Sequence, residues 1–188
     1  MRRPALVLLI LLGLLAGLYF WLQQPGNPLS AALAGTATPS LSAPEFLVGP
    51  QKPSFSKIEL TDPKTGRSLL LQSSGGTWTL KENGGSQAAA SQPKAENSAG
   101  ALRDTQILRH LQGNPADFGL EKPSLLLSIE YIDGNRLQVK IGDQAITKSG
   151  YYALLENGEI VLLNAAGVEE LQRLLSAPPY LFTPTPAG

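Results

Sequence analysis

The stretch SLLLSIEYIDGNRLQVKIG, residues 124–142, decides the fold. In an extended chain successive side chains point to opposite faces, so Leu125, Leu127, Ile129 and Tyr131 share one face. Leu137, Val139 and Ile141 share a face in the run beyond it, with Arg136, Gln138 and Lys140 on the other. This period of two is the mark of a half-buried strand. Between the runs lies Asp133-Gly134-Asn135, and an Asp-Gly flanked by alternating segments is a strong short-range hairpin signal. The core of the domain is therefore expected to be antiparallel sheet.

Working outward, YYALLENGEIVLL (151–163) reads as another hairpin, turning at Asn157-Gly158. Asn164 is placed to cap a helix carrying Val168, Leu171, Leu174 and Leu175, with Pro178-Pro179 ending it. Upstream, Ile58 and Leu60 alternate with polar residues in SFSKIELTD, DPKTG forms a turn, and RSLLLQS supplies a second strand. After Gly75-Gly76, TWTLKE sets Trp78 and Leu80 on one face. Residues 83–100 are low in complexity and predict an exposed loop. In LRDTQILRHLQG the spacing of Leu102, Ile107, Leu108 and Leu111 predicts a helix, with Asp104 near its start and Gly113 at its end.

Strands followed by one helix, twice over, predict an α+β domain with antiparallel β-sheets. Its two β-rich halves, 54–113 and 114–177, are expected to form two layers, each backed by a helix. The repeated order suggests a diverged duplication. Residues 178–188 are expected to be a loose tail.

The first residues carry a different message. ALVLLILLGLLAGLYFWL, residues 5–22, contains no charge. As a helix it would span about 27 Å, close to the roughly 30 Å of a bilayer's hydrocarbon core. Tyr19 and Trp21 fall where an interfacial aromatic belt would sit. Arg2 and Arg3 precede the run and no charge comes after it before Glu45, which predicts a cytoplasmic N-terminus and an extracytoplasmic body. Residues 1–23 thus read as a single-pass transmembrane anchor whose partner is the lipid bilayer. The competing reading is a cleaved signal peptide. Ala32-Leu33-Ala34 offers a small-x-small site, but the apolar run is longer than a usual signal core and the site lies well beyond it. Residues 24–53, rich in Pro, Ala, Ser and Gly, predict a flexible tether, with Phe46-Leu47-Val48 as a candidate docking motif within it.

Composition narrows the functional classes. The 188 residues carry a formal net charge of zero, so no basic surface for nucleic acid is implied. The absence of cysteine excludes a disulfide framework, a thiolate zinc site and a cysteine nucleophile.

One motif invites a chemical reading. In NPADFGLEKPS, residues 114–124, Asp-Phe-Gly has the form of the magnesium-binding loop of protein kinases. A kinase also needs a Gly-rich loop, a strand lysine paired to a helix glutamate, and a catalytic-loop Asp and Asn upstream. The chain has no His-Arg-Asp, no Gly-x-Gly-x-x-Gly and no Ala-Pro-Glu. Asp117 therefore belongs to a turn, in which Phe118 and Leu120 cover the edge of the core, Gly119 twists the backbone and Pro123 leads into the next strand.

In order, Trp78-x-Leu80, a short leucine-rich segment at Ile107–Leu111, the Phe118-Gly119-Leu120 and Pro123 turn, Ile141-Gly142, and Tyr151-Tyr152 resemble a bacterial family of domains of unknown function, number four-three-four-zero. The resemblance spans residues 55–176, and the polar insertion SQAAASQPKAENS departs from the pattern. Members often begin with a membrane helix, and some are similar to accessory subunits of ABC-type exporters and gliding machinery. The resemblance implies assembly or scaffolding, and marks Trp78, Phe118, Gly119, Leu120, Pro123, Gly142, Tyr151 and Tyr152 as structural motif residues.

The remaining candidates read as structural. His110 is the only histidine, leaving no second one for a metal or a triad. Glu130, Asp133, Asp143 and Glu156 fall on outward faces or turns, whereas a glycosidase needs two carboxyls facing each other across a cleft. No serine lies in Gly-x-Ser-x-Gly. Tyr151 and Tyr152 point to opposite faces, so one is core and the other is free to stack on a sugar or peptide. No catalytic residue, cofactor or metal is expected. The expected function is a non-enzymatic, membrane-anchored envelope domain acting through a membrane or envelope protein partner, with strand addition at sheet edges. The alternative is a glycan- or peptide-binding module using a cleft between the two halves.

Overall fold

The computed structural model describes residues 43–182, together with residues 12 and 13. The chain divides into two units, Met1–Ala43 and Pro44–Gly188, and the second is the folded body. Among the described residues no helix is long and apolar enough to cross a membrane. The expected anchor and the first part of the tether fall, but for residues 12 and 13, outside the described residues.

The body is α+β: one antiparallel sheet of ten strands with two helices. The strands are β1 (Glu45–Phe46), β2 (Phe55–Thr61), β3 (Ser68–Ser74), β4 (Thr77–Glu82), β5 (Ala88–Ala89), β6 (Gln106–Leu111), β7 (Leu125–Tyr131), β8 (Arg136–Gln144), β9 (Gly150–Leu155) and β10 (Ile160–Asn164). The helices are α1 (Gln92–Arg103) and α2 (Ala165–Ser176). In space the strands run β1-β6-β10-β9-β8-β7-β2-β3-β4-β5.

The deciding hairpin forms as its alternation dictates. Leu125, Leu127 and Ile129 of β7 stand opposite Ile141, Val139 and Leu137 of β8. Asp133 accepts from the Asn135 backbone N–H at 3.0 Å and Gly134 takes φ 84°, so the turn is fixed by its own side chain. The inward residues of β2, β3, β7, β8, β9 and β10 join one apolar cluster with Val168, Leu171, Leu174 and Leu175 of α2.

The expected two layers are one sheet. β2 pairs with β7 along its length, Ile58 opposite Ile129 and Leu60 opposite Leu127, so the halves share a ladder instead of stacking face to face. Stacking would have left β2 and β7 as unpaired edges, with rows of unsatisfied backbone groups.

The first helix is displaced from its expected place. Residues 92–100, read as part of a loop, belong to α1, and 106–111, read as the middle of a helix, are β6. Pro93 stands in the first turn of α1, where its missing N–H costs nothing. Ala95, Ser98, Ala99 and Leu102 recur at helical spacing and are buried. Asp104 comes after the last turn instead of opening the first. Asn164 does precede α2, but its side chain accepts from the Gln106 N–H at 3.0 Å and so ties β6 to β10.

Two boundaries also move. The folded body starts at Pro44 and not at residue 54: β1 pairs with β6, and Val48 is buried in the core. At the end of α1, Arg103 lies 4.5 Å over the Phe55 ring and donates to the carbonyls of Lys52 and Pro53, fastening the loop between β1 and β2. Residues 178–181 are not loose. Tyr180 bridges Ala90, its hydroxyl donates to Glu82 at 3.0 Å, and the Leu181 N–H donates to Ala89.

Candidate functional site

β6 lies near one edge of the sheet and β7 near its centre, so the link between them must cross β10, β9 and β8. That link is the segment containing NPADFGLEKPS. It runs as a short 3-10 turn, Pro115–Phe118, started by Asn114, whose side chain accepts from the Ala116 N–H at 3.1 Å. Gly119 ends the turn with φ 70°. Phe118 packs on Tyr152 with ring centroids 4.8 Å apart, and Leu120 is buried. Tyr152 stands opposite Leu162, so this contact lies on the face of the sheet turned away from the core cluster. The segment is a strap over that second face.

The strap gathers most of the motif residues. A Cβ on Gly142 would fall on the carbonyl oxygen of Phe118, and one on Gly119 would lie 2.5 Å from the Asp143 carboxyl carbon. Phe118, Gly119, Leu120, Gly142 and Tyr152 therefore form one contact, in which Gly142 lets the sheet backbone approach the strap backbone and Gly119 leaves room for the Asp143 carboxyl. Pro123 comes next, just before the Ser124 hydroxyl donates to the carbonyls of Ile141 and Gly142. Tyr151 faces the helix side and packs against the core. Trp78 lies apart, buried below α1, with its indole N–H donating to Glu96 at 2.6 Å and its backbone N–H to Gln92. Asp117 sits exposed on the strap.

Of the other candidate side chains, Glu130 and Asp133 are held locally, as are several further carboxylates, while Glu156 lines an open groove. Glu130 meets Arg136 at 3.2 Å, Glu82 meets Arg67 at 3.3 Å, and Glu170 meets Arg173. Asp133 and Asp62 each accept from backbone N–H groups of their own turns. Hydrogen bonds from Asn135 hold Asp133 below the usual carboxylate range, and the Thr65 hydroxyl does the same for Asp62. His110 Nε2 lies 2.9 Å from Glu45 Oε2, and this contact raises the imidazole above its ordinary value. Among the described residues no group of three His, Cys, Asp or Glu side chains could hold a metal ion.

No cleft divides the sheet between the halves, because β2 and β7 join them. One concavity lined by both halves is a shallow groove of about 580 Å³ on the second face. Leu126 and Leu154 form part of its lining, with Glu59, Ser128, Gln138 and Lys140 around them. Neither Tyr151 nor Tyr152 lines it: Tyr152 is under the strap and Tyr151 is on the opposite face. A second cleft, of about 670 Å³, lies between the two helices and the chain end and is lined by Arg67, Glu82, Lys94, Arg173 and Tyr180. Two of its cations are already paired with carboxylates.

No family model, curated protein or solved structure matches this chain.

The sequence missed the groove because its lining residues come from β2, β7, β8 and β9, whose pairing only the fold reveals. The outward alternation of Glu59, Ser128, Gln138 and Lys140 was the available signal, and it reads equally as a solvated sheet face.

Proposed function

We propose that this protein is a single-pass membrane-anchored envelope protein whose α+β body is a non-catalytic interaction domain. It belongs, on this reading, with the domain-of-unknown-function family it resembles. The N-terminus lies in the cytoplasm, residues 1–23 hold the bilayer, and the body works outside. One observation carries the reading: 18 uncharged residues, 5–22, come soon after Arg2 and Arg3, and no charge recurs before Glu45.

The arrangement of the body supports a role in contact over one in chemistry. Several of its carboxylates hold turns or pair with arginines, and its one histidine ties β1 to β6. Strand addition has little room. The sheet ends in two-residue strands, Pro44 precedes β1, and Pro178-Pro179 lead to Tyr180 beside β5. Short strands and prolines are how natural sheets blunt their edges. The broad second face is the better surface for a partner.

The test is membrane fractionation of the full chain, followed by protease treatment of intact cells opened only at the outer envelope. The expected result is a protein that resists alkaline extraction, leaves the membrane in detergent, and exposes its body to protease. Full-length chain in the soluble cytosolic fraction would overturn the proposal.

A further inference from the structure

The seam between the two helices opens into the second cleft, and the charges are unevenly matched there. α1 and α2 run antiparallel. Thr105, just past the end of α1, lies against Gly167 near the start of α2. At the other end the Ser91 N–H, before α1, donates to the carbonyl of Pro179, beyond α2. Midway along the seam the Ser98 hydroxyl lies 3.3 Å from Glu170. One turn further toward the open end stand Lys94 on α1 and Arg173 on α2, and both line the cleft of about 670 Å³. A third cation, Arg67, lines it from the turn before β3.

Cations that share a concavity repel one another unless carboxylates offset them, and here the carboxylates fall short. Glu170 accepts from Nε and Nη2 of Arg173. Glu82 accepts from Arg67 on one oxygen and from the Tyr180 hydroxyl on the other. Lys94 is exposed and has no ion-pair partner among the described residues. A guanidinium has five N–H donors and an ammonium three, so all three residues keep donors to spare once these pairs have formed. α2 ends at the cleft, and Arg173 in its last turn offsets the partial negative charge of that end. Leu174, Pro178 and Pro179 add an apolar wall, which Tyr180 fixes through its bridge to Ala90.

We propose that this cleft binds a small organic anion, a carboxylate or phosphate group carried on an apolar body. The anionic group sits between Lys94 and Arg173, with Arg67 adding to the positive field, and the apolar body lies on the wall of Leu174 and the two prolines. This goes beyond the reading of the body as an interaction domain and does not rest on it.

The experiment is titration of the full chain in neutral detergent, followed by amide NMR shifts. The probes are phenylacetate, phenyl phosphate, inorganic phosphate and uncharged benzyl alcohol. Saturable binding of at least one organic anion is expected, with shifts centred on the amides of Lys94, Asn97 and Ser176, and the tighter of the two identifies the head group. Inorganic phosphate and benzyl alcohol should each bind more weakly than that anion. Lys94→Gln should weaken binding about tenfold, the worth of one charge-assisted hydrogen bond. Lys140→Gln, which removes another unpaired lysine on the second face, should leave it unchanged. Lys94 is exposed and unpaired, so its substitution leaves the fold intact, and a circular dichroism melt checks this. No saturable binding of either organic anion, equal binding of benzyl alcohol or inorganic phosphate, or a Lys94→Gln variant that binds like the wild type overturns the proposal. None of these results touches the membrane assignment, which fractionation tests separately.

Discussion

His110 shows how a single residue's role depends on what the fold brings to it. Beside it in sequence are Arg109 and Leu111, and nothing there predicts a carboxylate. The fold supplies Glu45 at 2.9 Å from β1, and Glu159 acts more weakly from the turn before β10. The hydrogen bond to Glu45 raises the imidazole pKa, so folding favours the charged form. Its contribution to stability is therefore complete below the ordinary value of 6.5 and is lost as pH rises through the raised, folded value. β1 is only two residues long, and this contact is a side-chain tie between it and β6. The Leu47 N–H, which donates to the Thr105 carbonyl at 2.8 Å, is the reporter. Its hydrogen-exchange protection, corrected for the intrinsic rate, should fall between about pH 6 and pH 8. His110→Gln should flatten that dependence. Equal protection at both ends of the range in the wild type would leave the pair without effect.

At the scale of the element, α1 is the instructive case. Its buried stripe, Ala95, Ser98, Ala99 and Leu102, contains one large side chain, so the hydrophobic period is nearly silent in the sequence. Small residues are needed because α1 packs against both β4 and α2. There the Ser98 hydroxyl donates to the Lys94 carbonyl and lies 3.3 Å from Glu170. Ala99→Leu should therefore destabilise the body by about 1–3 kcal/mol through overpacking, read from denaturant midpoints at unchanged slope. A neutral result would mean that the α1–α2 contact is loose. The same physics explains what was legible. β7, β8 and α2 bury large aliphatics on one face and carry mostly polar groups on the other, so their period is loud, whereas β9 and β10 were legible from the Asn157-Gly158 turn between them. β6 is partly exposed on both faces, with Leu108 45% exposed, and its leucines imitate a helix. The strap was readable as a turn from Gly119 and Pro123, but its crossing of three strands depends on pairing partners distant in sequence.

At the scale of the molecule, the two halves are interlocked. Each half sends its strands outward from the central β2–β7 pair, turns through a helix, and then delivers the next segment to the other half's edge. After α1, β6 joins β10. After α2, Tyr180 and Leu181 join β5. Neither half keeps its own outer edge, and both contribute to one apolar cluster. Unfolding one half would thus strip the other of an edge segment and expose its half of the β2–β7 ladder, so the body should unfold in a single transition. Leu71 in the first half and Leu163 in the second are both fully buried, and each truncation to alanine should cost about 2–5 kcal/mol. Both variants should shift the same midpoint. Trp78 fluorescence, in a Trp21→Phe background, reports the first half, and exchange of the β8 and β9 amides reports the second. Coincident curves in the parent and in both variants are expected. If Leu163→Ala loosened β8 and β9 while Trp78 stayed buried, the halves would be separable units and the exchange of edges an ornament of connectivity.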